Sequence, residues 1–271
     1  MVLSTATLPD GRSVHCVNAY EVDFSWHEIF ADDLTAHGLS LPQDGVYVDV
    51  GANIGLFALY LNDLCPNARL IAYEPMPASF AALERNIEKM GGRAHAFQMA
   101  LGAAAGELEF DYYPGISALS TANSAAGDVL SGGLKNLLFS NGASADVRAI
   151  LDRSGASERM GDEEFIAQLF RVERVRAAVD TLSNQADLHG LGPIDLVKID
   201  TEGAEKDVLA GISDALWPRI RQMLVEVHLG RDETDAIAAD LGARGYRTSI
   251  GSHPLAEGGA PVFHVYAARS A

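Results

Sequence analysis

The side chains best suited to chemistry stand in two apolar, strand-like segments, IDLVKIDTEGAE and RQMLVEVH. Because alternate residues of a strand share a face, Asp200 and Glu202 project to one side of the first segment. Glu226 and His228 do the same in the second. Burying so many charges is costly unless they pair or react. If the two strands are neighbours, all four groups converge at one edge of a sheet.

His228 is the predicted general base of this group, because an imidazole can take a hydroxyl proton near neutral pH. Asp200 or Glu226, the other predicted catalytic residues, would orient the ring and stabilise its charged form. A salt-bridge network that includes Lys198 is the alternative, and it would account for the same charges without catalysis.

The same cluster offers oxygen and nitrogen atoms that a divalent ion could bind. No two histidines have a tight spacing such as H-x-x-x-H, so no metal ligand is predicted and a divalent metal stays an alternative. The other seven histidines, His253 and His264 among them, lack a partner cluster in the sequence. They are therefore predicted to be surface or core residues.

A second stretch with chemical potential is VYVDVGANIG, which ends at Gly55. Its apolar run stops at Gly51, where a tight turn lets a ligand approach the main chain. A dinucleotide site prefers G-x-G-x-x-G, but Asn53 occupies the place of the middle glycine. Asp49 would repel a pyrophosphate and suits the sulfonium and ammonium of S-adenosylmethionine. The predicted cofactor residues here are therefore Asp49, Gly51, Asn53 and Gly55.

The next strand-like run ends in IAYEP, with Glu74 near its tip. An acid at this place can accept both ribose hydroxyls of an adenosyl cofactor. A nicotinamide cofactor would use the same acid, so Glu74 alone does not discriminate between the two. Asp49 and the missing glycine favour S-adenosylmethionine, and a nicotinamide-dependent oxidoreductase is a less favoured class.

The elements that must position these residues alternate between strand-like and helix-like patterns, which is typical of an α/β fold with a mostly parallel sheet and helices on both faces. The last two strands are joined by a loop too short for a crossover helix, so one antiparallel strand is predicted near the C-terminus. Residues 1–44 are predicted to form an N-terminal helical cover, and residues 45–271 a single cofactor-binding domain. An inserted lid is predicted at about 117–171, and residues 107–112 are predicted to add an edge strand.

Charge and cysteine content limit the partners and the compartment. The 271 residues carry a formal net charge of −17, which disfavours nucleic acid as a partner. No apolar run reaches the roughly 20 residues that span a bilayer, so no membrane partner is predicted. Two cysteines are predicted to be free thiols in a reducing, cytoplasmic setting.

Together the motifs resemble those of the FkbM-type methyltransferase family. VDVGANIG, the pair Glu74-Pro75, ALG at residues 100–102, KIDTEGAE from Lys198, and EVH ending at His228 occur in the order of that family. The two strand segments look especially like the branch associated with polyketide and peptide natural-product assembly. The resemblance implies the class I, Rossmann-like methyltransferase fold, S-adenosylmethionine as cofactor, and transfer to a hydroxyl oxygen.

The resemblance also implies roles for single residues. Gln98 and Ala100 fall where the adenine is usually held, and Asp200 and His228 fall at the methyl-acceptor edge. The segment predicted to form the lid matches family patterns poorly, so the resemblance leaves the acceptor open.

The predicted function is therefore O-methylation of a small-molecule natural product or its biosynthetic intermediate, free or bound to a carrier protein. The predicted substrate residues are Trp26 and His27 of the N-terminal cover, together with Glu202. An N-methyltransferase and a non-catalytic adenosyl-binding partner module are the alternatives. The sequence does not predict the oligomeric state.

Overall fold

The fold is given by a computed structural model, in which two longer parts of the chain and several short pieces are described. The described residues are 3–30, 33–139, 149, 152–153, 156–159, 161–253 and 261–269.

Short strands and helices alternate along these described residues. The strands are β1 Ser4–Thr7, β2 Ser13–Cys16, β3 Val46–Val50, β4 Arg69–Tyr73, β5 Ala94–Phe97, β6 Ala100–Leu101, β7 Gly106–Tyr112, β8 Glu173–Asp180, β9 Leu196–Ile199, β10 Gln222–Val227, β11 Tyr246–Ser252 and β12 Phe263–Arg269. The α-helices are α1 Ala19–Phe30, α2 Leu56–Leu64, α3 Pro77–Ile87, α4 Ser124–Phe139, α5 Ala156–Arg159, α6 Glu163–Leu169, α7 Leu182–Leu188, α8 Glu205–Ala210 and α9 Arg231–Ala243.

A seven-stranded sheet in the order β11-β12-β10-β9-β3-β4-β5 forms the centre of the fold. β12 pairs antiparallel with both β10 and β11, while the pairs among β10, β9, β3, β4 and β5 are parallel. The prediction of a mostly parallel sheet with one antiparallel strand near the C-terminus is thus confirmed. Strand order reverses between β3 and β9, and ligands of open α/β sheets bind at such a reversal, beyond the carboxyl ends of the strands.

Strands β3 and β9 are buried on both faces, which explains their nearly continuous apolar sequence. Val48 and Val50 pack into the core on one face, and Tyr47 packs into the core on the other face. Asp49 shares the face of Tyr47 and stands opposite Lys198 in the parallel pairing of β3 with β9. The register therefore places two buried opposite charges side by side.

Two features outside the main sheet differ from the sequence-based picture. Residues 107–112 do form part of a strand, but β7 pairs with β8 in a separate three-stranded sheet, β6-β8-β7, and not with the edge of the main sheet. The N-terminal segment contains helix α1 as predicted, and it also forms a β1–β2 hairpin. These strands have four residues each, too few for a periodic pattern to reveal them.

The predicted lid is only partly within the described residues. Helices α4, α5 and α6 and a short 3-10 turn, Ser117–Leu119, belong to it. Residues 140–148, 150–151, 154–155 and 160 of the lid lie outside the described part of the chain. The domain boundaries and the role of this insertion as a lid stay predictions.

Two further expectations concern thiols and membranes. Cys16 and Cys65 are free, as predicted, and both are buried. Among the described residues, no helix has both the length and the apolar character needed to cross a bilayer.

Gly51 is expected to be irreplaceable for the turn after β3. Its φ is +82°, and a Cβ there would lie 1.7 Å from the carbonyl oxygen of Asp200. Gly190 is the matched control, because its φ is +57° but no atom lies within 4 Å of a Cβ. Both alanine variants bear the left-handed strain of about 1–2 kcal/mol, whereas only Gly51→Ala adds overpacking of about 1–3 kcal/mol. Urea denaturation of both variants measures the difference, and equal losses would contradict the close approach.

Candidate active site

A cavity of about 830 Å³ lies at the carboxyl edge of the seven-stranded sheet. The ends of β3, β4, β9 and β10 contribute to its lining, and α1 and α4 supply further walls. Ligand pockets typically measure roughly 300–1,000 Å³, so the cavity has room for a cofactor and part of an acceptor. Eight predicted site residues line it: Gly51, Asn53, Glu74, Ala100, Asp200, Glu202, Glu226 and His228.

The turn after β3 is fastened to the end of β4 by Glu74. Asn53 has φ 45°, in the left-handed region that residues with a side chain rarely adopt. Glu74 accepts hydrogen bonds from the backbone N–H of Asn53 at 2.9 Å and of Met76 at 2.8 Å. Two residues predicted separately as cofactor ligands are therefore bonded to each other.

Glu74 has a perturbed acidity. Burial raises its pKa to about 7, although the two backbone donors favour the charged form. A carboxylate oxygen can accept more than one hydrogen bond, so the ionised side chain can still accept the hydroxyls of a ribose. Its position on the cavity wall fits the predicted contact with the cofactor.

Asp49 lies behind the turn and not on the cavity wall. Its side chain is fully buried, and its nearest charged partner is the Lys198 Nζ atom, 3.6 Å from Oδ1. Burial raises the pKa of Asp49 to about 6, and the attraction of Lys198 opposes this rise. Lys198 also donates a hydrogen bond of 2.9 Å to Asp200. Asp49 thus contacts Lys198, which lines the cavity, but does not line the cavity itself, and its role toward the cofactor stays a prediction.

Two other predicted cofactor residues also lie outside the cavity lining. Gln98 is exposed, and the wall near it is formed by the residues that follow, Ala100 to Gly102. Gly55 precedes α2 with φ +87°, and a Cβ there would lie 2.7 Å from a methyl group of Leu83. The glycine at 55 is therefore required for packing of the turn against α3, and its contact with the cofactor stays a prediction.

Helix α1 lines the cavity, but not with the two substrate residues predicted from the sequence. Trp26 stacks on Phe30 with ring centroids 5.1 Å apart, and the Nδ1 atom of His27 lies 2.8 Å from the carbonyl oxygen of Asp23. Neither lines the cavity. Because residues three and four apart share a helix face, a different face points inward. It carries Tyr20, Glu21, Phe24, Ser25 and Glu28.

Glu21 is a cavity residue that the sequence analysis missed. Its carboxylate accepts hydrogen bonds from the Ser117 hydroxyl at 2.8 Å and from the Ala118 backbone at 3.2 Å. The Ser117 hydroxyl also lies 3.3 Å from the amide oxygen of Asn53. Burial raises the pKa of Glu21 to about 7. The N-terminal helix, the start of the insertion and the cofactor turn meet at this point, and no short-range sequence signal indicates such a contact.

The predicted catalytic residues do converge, because β9 and β10 are adjacent. The Nε2 atom of His228 lies 3.2 Å from Glu226, 3.3 Å from Glu202 and 3.8 Å from Asp200. Its Nδ1 atom lies 3.0 Å from Oε1 of Glu205. His228 is only 2% exposed. Glu205, which belongs to the predicted motif but was given no role, thus fixes the imidazole ring from behind.

Electrostatics make this cluster a shared proton site. Burial disfavours a charged imidazole, but the surrounding carboxylates outweigh it and hold the pKa of His228 well above its ordinary range. Burial also holds the pKa of Glu202 well above that of an ordinary carboxyl. Groups that interact this strongly titrate together, so the proton belongs to the cluster as a whole.

Glu226 is contacted by three histidines, not one. Besides His228, the Nε2 atoms of His264 and His253 lie 3.2 Å and 3.5 Å from its oxygens. Glu28 of α1 lies 2.8 Å from His253. His253 and His264 are buried, within the prediction of surface or core positions, but the fold gives them a partner cluster that the sequence does not show. The physical reason is the antiparallel register of β12, which sets His264 directly opposite Glu226.

The insertion also holds the loop after β9 in an unfavourable conformation. Glu202 has φ 52°, and its carbonyl oxygen accepts a hydrogen bond of 2.5 Å from the Thr121 hydroxyl. The side chain of Asn123 donates to the carbonyl oxygen of Gly203 at 3.1 Å. Strain of this kind persists where the surroundings over-determine it, often at functional sites. Thr121 and Asn123 are thus positioning residues for Glu202.

This fold and this cavity are those of a class I methyltransferase, and comparisons with known proteins agree. The Methyltransferase FkbM domain matches residues 49–248. A solved structure, Methyltransferase FkbM from Methylobacillus flagellatus KT, has a TM-score of 0.50 and 13% identity, covering 84% of this chain and 44% of that chain. The chain therefore belongs to the FkbM methyltransferase family, as predicted. Family and fold support S-adenosylmethionine as the cofactor.

Two curated relatives are similar over nearly the whole chain. The first, 31-O-demethyl-FK506 methyltransferase FkbM of Streptomyces tacrolimicus, is 33% identical over 99% of this chain and 97% of its own length. The second, AMB antimetabolite synthetase AmbE of Pseudomonas aeruginosa, is 34% identical over 97% of this chain. The chain spans only 12% of the length of AmbE.

Cofactor affinity is expected to depend on pH through Glu74. The ionised carboxylate is the form predicted to accept ribose hydroxyls, and burial raises the pKa of Glu74 to about 7. Affinity for S-adenosylhomocysteine should therefore fall as the pH drops below 7, by up to about tenfold per pH unit. Calorimetric titration measures this affinity between pH 5 and pH 8, in steps of roughly half a pH unit.

Two variants identify the group responsible. Glu74→Gln should flatten the profile, whereas Glu107→Gln should leave it unchanged, because Glu107 lines the same cavity but is exposed. A slope that survives Glu74→Gln and disappears in Glu21→Gln would assign the titration to Glu21, contrary to the expectation.

Proposed function

We propose that this protein transfers the methyl group of S-adenosylmethionine to a hydroxyl of a small-molecule natural product or its biosynthetic intermediate. The observation that carries the proposal is the convergence of His228 with Asp200, Glu202 and Glu226 at the edge of the cofactor cavity. The name of the Streptomyces relative, a 31-O-demethyl-FK506 methyltransferase, supports an oxygen acceptor.

The proposed reaction is a single displacement. A lone pair of the acceptor oxygen attacks the methyl carbon, and the carbon–sulfur bond breaks with its electron pair passing to sulfur, which gives S-adenosylhomocysteine. The hydroxyl proton passes to the carboxylate–imidazole cluster. Because the sulfonium is already a good leaving group, alignment of oxygen, carbon and sulfur supplies much of the rate.

Within the cluster, His228 is the proposed proton acceptor in its neutral form, which its raised pKa makes the minor form near neutral pH. Its ring links Glu202 and Glu226 on the cavity side with Glu205 behind it. A proton accepted by one carboxylate is thereby shared with the others through the imidazole. Asp200 takes part from 3.8 Å and remains paired with Lys198.

The acidity of the cavity supports a second candidate, transfer to nitrogen. Glu21, Glu28, Glu202 and Glu226 all line it, and they would attract an acceptor that carries a protonated amine. Such an acceptor must lose its proton before it can attack, and the same cluster could receive it. We propose a small-molecule acceptor, free or carrier-bound, in the cytoplasm, and give oxygen transfer precedence.

Replacement of His228 is expected to separate catalysis from binding. His228→Gln should lower kcat by about 10²–10⁴-fold, the usual contribution of a positioned acid–base group, and leave the affinity for S-adenosylhomocysteine within about twofold, a change of roughly 0.4 kcal/mol. His95→Gln is the control, because His95 is exposed and lies on β5, away from the cavity lining.

The assay uses S-adenosylmethionine with an isotopically labelled methyl group and paired hydroxyl and amine analogues of sugars and macrolides. The NMR shift of the transferred methyl group distinguishes oxygen from nitrogen acceptors. Undiminished turnover by His228→Gln would remove the residue from catalysis. Cofactor binding without transfer to any acceptor of either kind would favour the non-catalytic adenosyl-binding module.

A further inference from the structure

A second group of potential metal ligands lies beside the catalytic cluster. Glu226, His253 and His264 each bring one ligand atom to within 4.8 Å of the others. Glu28 adds an oxygen 2.8 Å from His253 Nε2. These four side chains come from α1, β10, the residue after β11, and β12, so the group joins the N-terminal helix to three strands.

We propose that Glu226, His253 and His264, with Glu28 as a fourth ligand, bind a divalent transition-metal ion of the zinc type. Imidazole nitrogens are the ligands such ions prefer, and carboxylates complete many of their sites. Metal bonds of about 2.0–2.2 Å place neighbouring tetrahedral ligands about 3.3–3.6 Å apart. The Nε2 atom of His264 lies 3.2 Å from Oε2 of Glu226, close to this spacing, and the Nε2 atom of His253 lies 3.5 Å from the other oxygen, Oε1.

Supporting contacts hold one ring in a suitable orientation. The Nδ1 atom of His264 lies 3.1 Å from the hydroxyl oxygen of Tyr266, and Tyr266 is 2% exposed. With Nδ1 engaged there, Nε2 is directed at Glu226. An outer partner of this kind fixes the ring and tautomer of metal-binding histidines in general. His253 is fully buried, which also restricts its ring.

The neighbouring triad of Asp200, Glu226 and His228 has similar distances but suits a metal less well. It offers one imidazole and not two. The ammonium of Lys198 lies 2.9 Å from Asp200 and would repel a second cation. The proposed ion therefore occupies the far side of Glu226, away from Lys198.

The ion would act on the catalytic cluster through Glu226. This carboxylate lies 3.2 Å from His228 with one oxygen and 3.2 Å from His264 with the other. Metal binding would fix Glu226 and anchor α1 over the sheet. Glu28, Glu226 and His264 line the cavity, so the ion also lies next to the acceptor end. Metal binding needs no acceptor and can be measured whether or not the proposed methyl transfer is correct.

The test measures metal content and cobalt spectra. Protein purified without chelator is analysed by mass spectrometry for metals, then stripped and titrated with Zn²⁺ and with Co²⁺. We expect about one equivalent of zinc and a cobalt absorption band typical of nitrogen and oxygen ligands. Tyr266→Phe removes an outer partner and should lower the affinity for zinc about 10–100-fold. His253→Gln and His264→Gln each remove a proposed ligand, so each should lower this affinity by more than about 100-fold.

His228→Gln is the matched control, because it removes a buried histidine that also contacts Glu226. It should keep the zinc. Loss of metal in His228→Gln with retention in His253→Gln and His264→Gln would overturn the assignment and move the ion to the other triad. Absence of zinc together with no cobalt band in the folded wild-type protein would overturn it entirely, and that result does not depend on whether any variant folds.

Discussion

A buried ammonium between two carboxylates is the interaction on which the site depends. Lys198 lies 3.6 Å from Asp49 and 2.9 Å from Asp200, and it is 6% exposed. The pairing of β3 with β9 at the reversal of strand order makes this arrangement unavoidable, because it sets Asp49 opposite Lys198. Removing one partner would leave an uncompensated buried charge, which typically costs about 3–5 kcal/mol. The three charged groups therefore have to be kept together, and this requirement fixes the two strands whose ends carry the turn at Gly51 and the loop at Glu202.

Histidines balance the negative charge of Glu226, which lies at the end of the cavity where the acceptor is proposed to bind. Burial alone would raise the pKa of Glu226. The three imidazoles that contact this carboxylate instead hold its pKa well below that of an ordinary carboxyl. The same attraction, mainly from Glu226 and Glu28, raises the pKa of His253 although burial opposes it. The salt-bridge interpretation of these charges and the catalytic interpretation are therefore compatible. The ion pairs hold charged groups in place at the edge of the sheet that borders the cavity.

The sequence predicts features that depend on residues close together in the chain, and it does not predict those that depend on contacts between distant segments. Alternation along β9 and β10 predicts that Asp200, Glu202, Glu226 and His228 converge if the two strands are neighbours, and the parallel pairing of β9 with β10 meets this condition. The glycine turn and Glu74 followed from the same rule. The sequence of α1 does not show which face of the helix turns toward the cavity. It predicts Trp26 and His27 as substrate residues, whereas Glu21 and Glu28 line the cavity. His264 was missed because a partner across an antiparallel pair depends on register, and no local pattern gives the register of β12 with β10.

The acidity of the site has a further consequence for methyl transfer as proposed. S-adenosylmethionine enters with a sulfonium charge, and the reaction ends with a neutral thioether and one proton. The positive charge thus moves from the cofactor toward the acceptor edge during the displacement. The carboxylates of Glu74, Asp200 and Glu226 all line the cavity in which this charge would move. Such fixed charges lower the barrier when they are stronger partners for the charge as it moves than for the ground state. In the proposed reaction, the carboxylates that lie 3.0–3.3 Å from the imidazole of His228 would meet this condition, because the proton they would receive appears only as the methyl group is transferred.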